Sequence, residues 1–125
     1  MLAQAYLGVG DLSRAESFAR MGRDVVEEDD SYSQGTTWFA LALVLAGQDK
    51  QAEALDAFAH ALTDLEASGE SYEIGDTHLE QAAFLLNHGD PDGAKTHLEQ
   101  AKEAFTDLET KDKLDRIAAL QKQLD

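Results

Sequence analysis

The feature that most constrains this chain is a spacing. Ala94, Leu98 and Ala101 stand at i, i+4 and i+7 of a helical pattern, a narrow face of small and apolar side chains. The same face occurs upstream as Ala54, Phe58 and Ala61, and more weakly as Ala15, Ala19 and Gly22. Corresponding positions lie 39 residues apart between the first two copies and 40 between the second and third. The last copy follows Asn87-His88-Gly89-Asp90-Pro91, which reads as a helix end, a tight turn and a new helix. Gly89 suits a left-handed closing residue, Asp90 an N-cap, and Pro91 the first helical position, where its missing N–H costs nothing. Helix–turn–helix units repeated at such a period predict a stacked helical solenoid.

Taken in order, the chain reads as helix throughout. Met1 to Val9 carries an apolar face of Leu2, Ala3, Tyr6 and Leu7 and ends at Gly10-Asp11. A second helix opens at Asp11 or Ser13 and is expected to run to about Glu28, carrying Leu12, Phe18, Val25 and Val26 besides the alanines. The polar run Glu27 to Ser31 reads as a loop, without the spacing or glycine of a calcium site. A third helix, from about Ser33 to Ala46, is apolar nearly all round, so it should lie against neighbours on more than one side. Gly47-Gln48-Asp49 closes it, Lys50 to Ala67 forms the fourth, and Gly69 stops that one. Tyr72 to Asn87 is the fifth, and the Pro91 helix, the sixth, continues through Phe105 to Leu108. A last amphipathic segment bears Leu114, Ile117, Leu120 and Leu124 and suits a capping helix with a polar outer face. No stretch alternates like a strand and no linker divides the chain, so one all-α domain over 1–125 is expected.

Composition bounds the function. Of 125 residues, 43% are hydrophobic and one is proline, which suits packed helices rather than a disordered chain. No apolar run reaches the roughly 18 residues of a membrane span, and no secretory signal is evident at the N-terminus. Cysteine is absent, which removes disulfides and thiolate metal sites and makes the cytoplasm the default location. Twenty-five acidic residues against 10 basic ones give a net charge of −15, which repels phosphate backbones and argues against nucleic acid as a direct ligand. Solvated acidic faces, a high-salt host and a basic partner are three readings of that charge, and its spread over all the helices favours the first two.

Aligned on their alanines, the units resemble tetratricopeptide repeats. That family places large, leucine, small and large apolar residues along its first helix. A Gly-containing turn and three small or apolar positions on the second helix follow. The middle unit matches with Trp38, Leu41, Ala42 and Leu45, then Ala54, Phe58 and Ala61. The first gives Leu2, Ala3, Tyr6, Gly10, Ala15, Ala19 and Gly22. The third gives Ala82, Leu85, Gly89, Ala94, Leu98 and Ala101, with His78 and Gln81 where Trp38 and Leu41 stood. The resemblance covers nearly the whole chain. It departs from the family in its 39–40-residue period, longer than the usual 34, and in lacking the proline that ends the second helix. The implied fold is all-α, a right-handed superhelix of about three antiparallel helix pairs, with units near 1–31, 32–70 and 71–109 and a capping helix over 111–125. Because the first unit begins partway into its first helix, a piece of a larger array or a shortened product is expected.

No constellation for catalysis stands out. His60, His78, His88 and His97 have no metal-ligand spacing, so surface or interhelical hydrogen bonding is expected of each, and no metal or cofactor. Asp90 and Asp92 beside Pro91 read as helix capping, and Gly8-Val9-Gly10 lacks the strand and third glycine of a dinucleotide loop. Serines 13, 17, 31, 33, 68 and 71 have no nucleophile-elbow context, so no catalytic residue is expected. The resemblance implies instead a concave groove that docks a peptide or partner helix. Its positions here are Gln4 and Leu7, then Thr36, Phe39 and Leu43, then Asp76, Leu79, Ala83, Leu86 and Asn87. Phe39, Leu43, Leu79 and Leu86 are equally placed to be buried against neighbouring helices. No Lys or Arg falls on these positions, so the family's basic clamp for a terminal carboxylate is missing and the partner should be apolar or basic. The other reading is a self-associating array, a homodimer through the N-terminal helix pair, or a sensor segment that regulates a domain elsewhere in a longer protein.

Overall fold

The structure, a computed structural model, describes residues 11–106, 108 and 110–124. The helix expected over Met1 to Val9 lies outside them. Among the described residues there are six helices and no strand: α1 (Leu12–Asp24), α2 (Ser31–Gly47), α3 (Gln51–Ser68), α4 (Ser71–Asn87), α5 (Pro91–Phe105) and α6 (Lys111–Lys122). They fall into two compact units that meet in sequence at Gly69 and Glu70.

In the N-terminal unit α2 packs against both α1 and α3, as its nearly all-round apolar sequence requires. The repeat alanines meet there: Ala15 and Ala19 of α1, Ala42 of α2, and Ala54 and Ala61 of α3 are all fully buried, around Phe58 and Leu65. Helix α1 is shorter than its pattern, ending at Asp24, and Val25 is 81% exposed. The acidic run from Glu27 to Asp30 would place negative charge at a helix C-terminus, where the dipole disfavours it. Asp30 is used by the next helix instead, accepting from the Ser33 N–H at 3.1 Å, so α2 begins at Ser31 rather than Ser33.

The C-terminal unit is the α4–α5 hairpin with α6 laid against it. Ala82, Leu85, Ala94, Leu98, Ala101 and Phe105 repeat the packing of the first unit. Asp90 caps α5 by accepting from the Gly93 N–H at 3.0 Å, with Pro91 at the first helical position. Helix α6 buries Ile117 and ties itself to α4 by two ion pairs, Lys113 to Asp76 at 2.8 Å and Arg116 to Glu80.

The two hairpin turns are built alike. Lys50 N–H donates to Leu45 O at 3.0 Å and Asp90 N–H to Leu85 O at 2.9 Å, the six-to-one bond of a Schellman motif. The left-handed residue of that motif is Gly89 (φ 78°) in one turn and Asp49 (φ 59°) in the other. In the first turn it is therefore Asp49, not Gly47, that reverses the chain. At the opposite end of each hairpin the helices cross closely over a glycine. A Cβ on Gly35 would stand 2.5 Å from Leu65 Cγ and 3.1 Å from its backbone nitrogen. A Cβ on Gly75 would stand 2.8 Å from the Phe105 ring. Both pairs are 30 residues apart, and the second follows the first by 40.

Candidate functional site

The residues expected to line a groove divide between the two units. Gln4 and Leu7 lie outside the described residues. On α2, Thr36 and Leu43 are half-buried, whereas Phe39 is buried with its ring centroid 6.5 Å from that of Phe58. On α4, Ala83 and Leu86 are half-buried, Asn87 is exposed and Leu79 is fully buried. Asp76 is engaged by Lys113 of the last helix. Phe39 and Leu79 are thus core residues, the burial their spacing left open, and neither stands free as an anchor.

A different surface collects the N-terminal unit's chemistry. Trp38 projects from α2 into a shallow cleft of about 360 Å³ between α1 and α3, floored by Leu41, Leu45 and Ala57. Arg20, Glu53 and Asp56 form its charged rim. The Arg23 guanidinium lies 3.9 Å from the Trp38 ring centroid, and the His60 ring stacks on the indole at 4.3 Å and 14°. Arg23 is held there by Gln34 Oε1 at 2.6 Å and Thr37 Oγ1 at 3.2 Å. Its burial lowers its pKa, with Asp64 and Asp24 opposing. Behind the rim residue Arg20, Glu16 binds both Arg20 (2.8 Å) and Lys50 (3.1 Å), and these hydrogen bonds hold its carboxyl down at about 2. Glu53 and the side chain of Asp56 remain exposed, Asp56 lying 3.6 Å from His60 Nε2.

Forty positions on, the same places hold polar groups. His78 replaces Trp38, Gln81 replaces Leu41 and His97 replaces Ala57. His78 is 5% exposed, and its Nδ1 lies 2.8 Å from His97 Nδ1, joining α4 to α5. Burial, and then the proximity of His97, push His78 down to about 4, and burial lowers His97 as well, against the pull of Asp90. Gln81 is buried, and its Oε1 has no hydrogen-bond partner among the described residues.

The interhelical role expected of the histidines holds for this pair. The pairing itself escaped the sequence because the two lie 19 residues apart on different helices. Alignment of the repeats beyond their alanines carries the signal, since His97 falls where Ala57 packs. The crossing glycines were missed too, although Ser-Tyr-x-x-Gly-x-Thr occurs at 31–37 and again at 71–77.

Among the described residues no group of three or more His, Asp or Glu side chains could hold a metal ion, and no helix is long and apolar enough to cross a membrane. No family model matches the chain, and no curated protein or solved structure is similar enough to count as a match.

Proposed function

We propose that this protein is a non-enzymatic interaction scaffold of the tetratricopeptide-like kind, with its helix pairs stacked as a right-handed superhelix that docks a peptide or partner helix. The observation that carries this reading is the repeated hairpin, with glycine crossings and Schellman turns recurring at an interval of 40 residues. Such repetition supplies extended helical surface rather than one enclosed chamber. The docking region proposed is the Trp38 cleft, since Phe39 and Leu79 are buried. Its apolar floor offers an indole as anchor, and Glu53 and Asp56 favour a basic partner that the net charge would steer.

The test is partner capture by the wild-type chain and by Glu53→Arg/Asp56→Arg. Both side chains are exposed, so the variant with its two substitutions should melt like the wild type within about 1 kcal/mol. It should also lose basic partners. Capture of the same partners by both proteins would remove the cleft from consideration.

Self-association is the second reading, and one observation favours it. Met21 (59% exposed) and Val25 (81%) are exposed apolar residues four apart at the end of α1. Sedimentation equilibrium on the wild type and Met21→Ser/Val25→Ser would show a dimer that the variant loses. A monomer at millimolar concentration would exclude it.

A further inference from the structure

The two hairpins differ most where their registers coincide. One lines the cleft with an indole and Ala57. The other puts two imidazoles in those positions, joined Nδ1 to Nδ1 at 2.8 Å with ring centroids 5.1 Å apart. That bond has room for a single proton. One Nδ1 carries it and donates, the other accepts, so a neutral pair holds opposite tautomers. A first added proton must settle on the outer Nε2 of the donating ring and places a charge in a buried site. A second must take the accepting Nδ1, leaving two N–H groups face to face and no bond between the helices.

We propose that the His78–His97 pair is an acid-weakened latch on the α4–α5 hairpin, holding the two helices together in neutral solution and losing that hold progressively in weak acid, which the α2–α3 hairpin lacks. The charges around it compensate its protonation only in part. On α4, Asp76 and Glu80 are already committed to Lys113 and Arg116 of α6, and His88 Nδ1 lies 2.9 Å from Phe84 O. Gln81, one turn beyond His78, is neutral. On α5, Asp90 draws His97 back towards its ordinary value, yet His97 stays below it. The unfolded chain binds protons as pH falls through 6.5, while folded His78 resists until about 4. The pair's contribution is therefore complete above 6.5 and drains away between 6.5 and 4.

Amide hydrogen exchange on the whole chain from pH 7 to 4.5, corrected for intrinsic rates, tests the latch. The His78 shift alone corresponds to a loss of protection of roughly a hundredfold in α4 and α5 at the acid end. A smaller loss is expected in α2 and α3. The double variant His78→Leu/His97→Ala should flatten the difference between the hairpins. An equal loss in both hairpins, no loss, or a difference that survives in the variant would each overturn the latch. Should the variant fail to fold, histidine ring titrations of the wild-type chain by NMR decide the matter. A midpoint for His78 well below 6.5 supports it, and an ordinary midpoint for His78 overturns it.

Discussion

Phe58 and Phe39 show what the fold asks of single side chains. Phe58 is fully buried among the repeat alanines, so Phe58→Ala should cost roughly 3–5 kcal/mol, read as a shift in denaturant midpoint. Phe39 touches the same core, and its truncation should also destabilise, by about 2–4 kcal/mol, where an open groove residue would cost almost nothing. A Phe39→Ala protein as stable as the wild type would return that ring to the surface. The glycine crossings make a sharper claim. Alanine ordinarily gains about 1 kcal/mol over glycine inside a helix, and here overpacking of about 1–3 kcal/mol opposes it. Gly35→Ala meets Leu65 near its backbone, whereas Gly75→Ala meets the far end of the Phe105 ring. Thermal melts should therefore rank Gly35→Ala below Gly75→Ala, and the reverse order would show that the Leu65 backbone yields more readily than the Phe105 ring. The apolar residues of the repeat were legible in the sequence because their spacing announces a buried face. Phe39 was ambiguous because α2 is apolar on nearly every side, so no polar stripe marks what faces outward.

Helix ends were legible wherever a local rule decides them. Asp90, Pro91, Gly69 and Gly89 stand where capping chemistry places them. Asp90→Ala should cost about 1 kcal/mol in a chemical melt, and a silent substitution would mean that the cap bond to Gly93 is not used. The end of α1 was misjudged for a reason also local but competing. The hydrophobic period continues through Val25 and Val26, while the acids after them favour the start of α2. The Asp49 turn was half legible, since the bond pattern of the Gly89 turn recurs there without the glycine. Contacts between helices, such as Lys113 with Asp76 or His78 with His97, have no such local signature. They depend on which faces meet, and no spacing along one helix encodes that.

Charge acts on the whole chain. A net charge of −15 on 125 residues makes the compact state repel itself, and added ions screen that repulsion. The melting temperature should rise from low salt to molar potassium chloride. A flat or falling curve would show that local pairs such as Glu16 with Arg20 and Lys50 absorb the acidity, and would remove the high-salt reading. The all-helical class was legible from the i, i+4, i+7 spacing inside each copy, and a repeat of 39–40 residues leaves room for two such helices and a turn. The glycine crossings carry one more consequence. Gly35 and Gly75 sit at the open ends of their hairpins, about 20 Å along the helix from the connecting turn. Each hairpin is pinned there, so its alignment does not rest on the turn. Loop closure grows more costly only slowly with length, by about 0.6 kcal/mol per doubling. Residues 48–50 and 88–90 are thus natural places to splice in foreign sequence, a tag or an epitope, while each pair of helices keeps its register.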